Sequence, residues 1–158
     1  MSIRPLDVQD NRRLAQLIRA TIDEHQVPRT GTVYEDADTD RLSTYFSAPR
    51  ARGFTALRAG QPVGCCGIYP TAALPEGYTE LVKLYLAPEG RGRGLGQALI
   101  EASLTAAREQ DYSHVYLECL PRFAAAISLY EKMGFYHLSY RLGQSGHHNC
   151  TTWMEKAL

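Results

Sequence analysis

The stretch LYLAPEGRGRGLGQAL, residues 84–99, constrains the fold more than any other part of the chain. An apolar run ends at Pro88. Four glycines and two arginines then fall within Gly90 to Gly96. After them Leu95, Leu99, Ala102 and Ala106 mark one face of a helix that runs to about Gln110. Proline cannot donate to a strand ladder, and glycine admits backbone conformations closed to other residues. The segment therefore dictates a strand, a tight turn and a helix. The next apolar run, HVYLECL at 114–120, follows that crossover helix, so it is predicted to lie parallel to the strand 80–86.

The rest of the chain fills in around this unit. Residues 2–6 read as a short strand. Leu14, Leu17, Ile18 and Ile22 have helical spacing between Asp7 and His25. Leu42, Tyr45 and Phe46 suggest a short helix capped near Asp38 or Thr39. Residues 53–59 and 62–69 read as a hairpin around Gly60-Gln61. Ala126, Tyr130 and Met133 form another helical stripe, stopped by Gly134. Phe135 to Leu142 alternates as a strand, with Tyr136, Leu138, Tyr140 and Leu142 on one face, and CTTWMEKA is the last strand. The expectation is an α/β domain spanning 1–158: a single mixed, mostly antiparallel sheet of about seven strands with helices on both faces. At 158 residues the chain can bury a core without staples.

Charge and composition exclude several classes. Seventeen basic residues balance 17 acidic ones, which argues against a nucleic-acid partner. No run approaches the ~18 apolar residues of a membrane span, and the start lacks a leader pattern. Cys65, Cys66, Cys119 and Cys150 form no CxxC pair and read as reduced thiols of a cytoplasmic protein. Cys65 and Cys66, adjacent in a strand, point to opposite faces.

A glycine-rich turn that opens a helix suits phosphate, because the first helical N–H groups lack partners. The P-loop pattern fails, since no lysine follows any of the glycines. The dinucleotide pattern G-x-G-x-x-G fails at Leu95, Gln97 and Leu99. What remains is R-x-x-G-x-G, carried by Arg91, Gly94 and Gly96. Glycine lets the backbone approach an anion, and Arg91 and Arg93 can add charge-assisted contacts.

With these residues in view, the chain resembles the GNAT superfamily of acyl-CoA-dependent N-acetyltransferases. LYLAPEGRGRGLGQALI matches its strand, glycine turn and helix. AAAISLYEKMGF, 124–135, matches its second marker, and the order of elements fits nearly the whole chain. The resemblance implies a bulge in the first strand that splays strands 80–86 and 114–120 and lets acetyl-CoA lie between them as co-substrate. No metal is expected, because His147, His148 and Cys150 lack a fourth ligand and match no zinc spacing. Backbone groups of Leu84, Tyr85 and Leu86 would pair with the pantetheine arm. The diphosphate would sit on the turn formed by Arg91, Gly92, Arg93, Gly94, Leu95, Gly96 and Gln97. Phe123 stands where many members carry asparagine near the cofactor, and it cannot make that side-chain hydrogen bond.

Acetyl transfer to an amine sets three chemical demands. An amine of lysine-like pKa must lose a proton, at about 4–5 kcal/mol near pH 7. Charge developing on the carbonyl oxygen needs a fixed donor, and the leaving thiolate gains from an acid. Glu80, at the start of its strand and at the family's spacing before Arg91, is the candidate base. Tyr130, in LYEKMGF, is the candidate acid and also borders the cofactor. A backbone N–H near Leu86 is the expected oxyanion donor. His147 and His148 occupy a turn that borders the acceptor side in the family, so one of them is expected to bind the acceptor. The run Glu35, Asp36, Asp38, Asp40 reads as a solvated loop with a helix cap, or as an attractor for a cationic amine. The expected reaction is direct attack by a primary amine, on a small molecule or a peptide, in a ternary complex. A non-catalytic acyl-CoA sensor and a transferase of larger acyl groups share the fold, and a homodimer is compatible with it.

Overall fold

The computed structural model describes residues 1–158. Seven strands form one sheet: β1 (Ser2–Pro5), β2 (Arg52–Arg58), β3 (Gln61–Tyr69), β4 (Tyr78–Leu86), β5 (His114–Cys119), β6 (Tyr136–Leu138) and β7 (Thr152–Ala157). Their spatial order is β1-β2-β3-β4-β5-β7-β6. Every neighbouring pair is antiparallel except β4 and β5, which are parallel as the crossover helix requires. The helices are α1 (Asn11–Glu24), a single turn α2 (Leu42–Tyr45), α3 (Leu95–Glu109) and α4 (Ala124–Lys132).

The sheet separates two cores. On one face Leu95, Leu99, Ile100 and Leu104 of α3 and Tyr130 of α4 pack on Cys66, Ile68 and Leu117. On the other, Leu14, Leu17, Ile18 and Ile22 of α1 pack on Cys65, Leu42 and Phe46. Cys65 and Cys66 thus serve opposite cores, as their adjacency in a strand demands. Leu14, Ile18 and Ile22 are fully buried. Each contributes about 2 kcal/mol of transfer free energy, so tertiary burial rather than propensity holds α1 in place. Gly134 ends α4 with φ 91, a left-handed cap.

Four local expectations are corrected. The hairpin turns on Ala59-Gly60, not Gly60-Gln61, because Gln61 pairs with Arg58. Both turn residues have positive φ (48 and 75), the primed turn that matches strand twist. Neither Asp38 nor Thr39 caps α2; its Ser43 amide donates to Asn11 Oδ1, on α1, at 2.9 Å. Thr39 instead closes a 3-10 turn, Ala37–Asp40, and donates its hydroxyl to the Val33 carbonyl. The strand expected over 135–142 shrinks to three residues of β6. β6 is a sheet edge paired only with β7, and beyond Leu138 the chain leaves the sheet. Finally, β4 starts at Tyr78, so Glu80 is its third residue and not its first.

Candidate active site

The parallel pair β4–β5 holds three rungs: Tyr78 with His114, Thr79 with Val115, and Glu80 with Tyr116. Beyond Glu80, β4 pairs only with β3 and β5 only with β7. The strands part, and a cavity of about 830 Å³ opens along β4 from Glu80 to the glycine turn. A bulge shapes this wall. Cys65 pairs with Tyr85 and Gly67 with Val82, so Cys66 faces two residues of β4, Lys83 and Leu84. Lys83 takes the extra place with φ 61, a conformation that costs a non-glycine residue about 1 kcal/mol or more. After the bulge Leu84 and Leu86 pack toward α3, while Tyr85 packs toward α1.

At one end lies the turn. Gly92 and Gly94 have φ 68 and 78, and a Cβ at either would meet nothing within 4 Å on the protein side. Gly96 is tight, because a Cβ there would come within 3.1 Å of Leu129. Gly94 caps α3 without any side-chain bond. The backbone N–H groups of Gly92 through Gln97 find no acceptor in the protein, and the first paired amide is that of Ala98. Six free donors and a positive helix end converge on open space, which fits an anion as large as a diphosphate. Arg91, Gly92, Gly94, Leu95, Gly96 and Gln97 line the cavity. Arg93 does not; it is exposed and unpaired. The Arg91 fork is already bound to both oxygens of Glu24 at 2.7 Å, and its Nε donates to the Leu86 carbonyl at 3.0 Å.

Leu84, Tyr85, Leu86, Phe123 and Tyr130 all line the middle. Phe123 stands edge-on to His25, with ring centres 4.6 Å apart, and to Tyr85 at 6.3 Å. It supplies an apolar wall where a hydrogen-bonding side chain was the family pattern. Burial raises the Tyr130 phenol well above its usual range, so it stays protonated. Its hydroxyl has no partner in the protein, yet Trp153 Nε1 is the one fully buried polar side-chain atom left unpartnered. The Tyr130 hydroxyl therefore opens to the cavity.

At the other end Glu80, only 4% exposed, accepts a 2.6 Å hydrogen bond from Thr71 Oγ1 on one oxygen. Burial pushes its carboxyl up to about 7; the charge of Glu118 adds to this, while Thr71, His147 and Lys83 pull it down. Neighbouring Glu118 is fully committed. It accepts from Arg141 at 3.0 Å on both oxygens, from Tyr116 at 2.7 Å, and from the Ser145 hydroxyl. Arg141 also bonds the carbonyls of His147 and Cys150, so one buried ion pair organises the whole 141–150 connection.

That organisation separates the two histidines. His147 lines the cavity and holds Asp36 Oδ2 at 2.7 Å through Nε2. His148 is exposed and makes no hydrogen bond. Asp36 also receives Lys83 Nζ at 3.3 Å, and these partners outweigh burial to hold its carboxyl below the usual range. Of the two readings of the acidic run, the solvated loop fails at Asp36, which lines the cavity and is bound to His147 and Lys83. Lys83, Glu118 and Arg141 were missed altogether; a charged residue inside an otherwise apolar strand, at 83 and at 118, was the available signal.

The comparisons with known proteins agree with this architecture. Residues 18–135 match the model of the acetyltransferase (GNAT) family. An uncharacterized N-acetyltransferase of Escherichia coli K12, YjgM, is 34% identical over 99% of this chain and 94% of its own length. A GNAT acetyltransferase structure from Staphylococcus aureus Mu50 superposes with a TM-score of 0.85 at 17% identity, covering 99% and 98% of the two chains. A phosphinothricin acetyltransferase of Sinorhizobium meliloti, solved with acetyl-CoA, gives 0.77 at 18% identity over 99% and 88%. With most of its length matched to that family, and with a relative this similar from end to end, the chain belongs to the GNAT family and is an acetyl-CoA-dependent acyltransferase.

Proposed function

We propose that the protein moves the acetyl group of acetyl-CoA to a primary amine by direct attack in a ternary complex. The observation that carries this reading is the position of Glu80. A buried carboxyl with a pKa of about 7 sits where the two strands part, in the same cavity as six unpaired turn amides.

When bound, acetyl-CoA supplies an activated acyl thioester. The amides of Gly92 to Gln97 hold its diphosphate, and the unpaired edge of β4 at Leu84 to Leu86 takes the pantetheine arm. Arg91 holds the turn in shape through Glu24 rather than adding a free cation. Glu80 is the group that removes the amine proton, because a base is most effective when its pKa lies near the working pH. Tyr130, protonated and facing the cavity, is placed to donate to the departing sulfur. A backbone N–H near Leu86 is the donor for the developing oxyanion. Cys119 also lines the cavity, but burial pushes its thiol up to about 12. Only about one molecule in 10⁵ would then carry a thiolate at pH 7, which favours direct attack over an acyl-cysteine route.

Initial velocities with both substrates varied test this order of events. Intersecting double-reciprocal lines are expected. Parallel lines, the sign of a covalent acyl-enzyme, would contradict it.

A further inference from the structure

We propose that the acceptor is a small zwitterion, an amine that also carries a carboxylate, with Lys83 holding the carboxylate while Glu80 meets the amine. This rests on the acetyl-transfer reading and narrows it to a substrate class.

The bulge in β4 makes the arrangement possible. In a regular strand residues three apart point to opposite faces. The extra residue at Lys83 breaks that alternation and turns its side chain toward Asp36 and Tyr45, on the side from which Glu80 meets the cavity. Both residues line the same cavity, and the Lys83 charge reaches the Glu80 carboxyl. Along β4 their Cα atoms are no more than about 10 Å apart. Two groups at that spacing along one cavity wall can meet the two ends of a single molecule of amino-acid size.

Lys83 is also short of partners. Its side chain is 3% exposed, and an ammonium carries three donors. One hydrogen bond is formed, to Asp36 Oδ2, and it is long at 3.3 Å. That oxygen already receives His147 Nε2 at 2.7 Å. Two nitrogen groups therefore share one carboxylate oxygen beside a cavity. The other nearby carboxylates do not relieve this: Glu80 makes no hydrogen bond to Lys83 and is held by Thr71, Glu118 is bound to Arg141, Asp40 is bound to Arg19, and Asp38 is exposed at the rim. A buried cation needs full pairing, and a carboxylate brought by the acceptor completes it with charge-assisted hydrogen bonds.

The walls favour a small molecule over a polypeptide. The 141–150 connection is stitched to both neighbouring loops. Asn149 donates to the Thr30 carbonyl at 2.7 Å, and the Gln144 amide donates to the Ala72 carbonyl at 2.8 Å. Together with His147 on Asp36, these bonds join the three loops around the Glu80–Lys83 end, a setting that suits a compact acceptor better than an extended chain.

The test uses matched acceptors: a panel of L-amino acids, their carboxamides, and the corresponding amines without the carboxyl group. Thiol release gives kcat/KM for the wild type and for Lys83→Met, which keeps the volume of the side chain and loses its charge. For the best acceptors the acid should exceed its amide by tenfold or more. That preference should fall to within about threefold in Lys83→Met, with acetyl-CoA affinity unchanged. An amide or plain amine used as well as its acid would overturn the proposal; so would an undiminished preference in a folded Lys83→Met protein. The wild-type arm stands even if the variant fails to fold. Titration of the same acids and amides into CoA-saturated protein reads the preference without turnover. Acid-selective binding there supports the Lys83 site even if acetyl transfer fails, and no acid binding at all overturns it.

Discussion

Glu80 faces Tyr116 across the last rung that β4 and β5 share. Tyr116 in turn gives its hydroxyl to Glu118 at 2.7 Å, and the charge of Glu118 helps to raise the Glu80 carboxyl. The point where the sheet opens, the proposed base and the clamp on the 141–150 connection are thus one connected structure. Its pH behaviour follows directly.

The rate should rise with pH through a limb near 7, as Glu80 loses its proton and becomes a base. Glu80→Gln should remove that limb and lower kcat/KM by ~10²-fold or more at neutral pH. The deficit should shrink as the pH approaches the amine's own pKa, where no base is needed. A pH–rate profile of both proteins checks this, and a deficit that does not vary with pH would assign Glu80 to positioning.

Stability should move the other way. The folded carboxyl has a pKa of about 7, against 4.5 for the unperturbed group. Between those values the folded state keeps a proton that the unfolded chain has released. Stability therefore falls as pH rises through that window, by about 3 kcal/mol in total. Glu80→Gln removes this loss. Its melting temperature at pH 8 should exceed that of the wild type, with no such gain near pH 4. A lower melting temperature for the variant at pH 8 would contradict the assigned burial.

Gly94→Val tests the turn. The φ of 78 suits glycine, and the space before its Cβ position is empty of protein. A β-branched residue there strains the turn and intrudes where the diphosphate belongs. Calorimetry should show acetyl-CoA binding weakened by about 2 kcal/mol or more. Unchanged affinity in a folded variant would move the phosphate site elsewhere.

Arg141→Leu tests the clamp. It strips the cation from Glu118, whose side chain is 1% exposed, a loss of order 3 kcal/mol for a buried pair. The damage should be local. Amide exchange should accelerate across 141–150 while α3 stays protected, and acceptor KM should rise without a change in acetyl-CoA affinity. Uniform acceleration across the sheet would show a general structural role instead.

The sequence revealed those parts that local rules control. The strand, glycine turn and helix at 84–99 could be read because each residue type there has one conformational consequence, and the opposed Cys65 and Cys66 follow from strand geometry alone. The alternation at 135–142 misled because Arg141 is drawn out of the sheet to a carboxylate 23 residues away. Asp36 acquires its meaning from Lys83 and His147, 47 and 111 residues distant, which no window could connect. The family resemblance implies a bulge in strand 80–86, but no residue marks its place at Lys83, since no glycine carries the positive φ. Of the two adjacent histidines, the sequence could say that they diverge, and only the Arg141–Glu118 anchor decides which one faces inward.

Acetyl transfer to an amine is tested most directly by following the acyl group itself. Acetyl-CoA labelled in the acetyl carbon is incubated with the protein and the acceptor panel, and products are read by mass spectrometry alongside thiol release. One labelled acetyl should appear on the acceptor nitrogen for each CoA freed, and in Glu80→Gln both should form ~10²-fold more slowly at neutral pH. Acetyl-CoA that binds tightly but releases no thiol with any amine would contradict it.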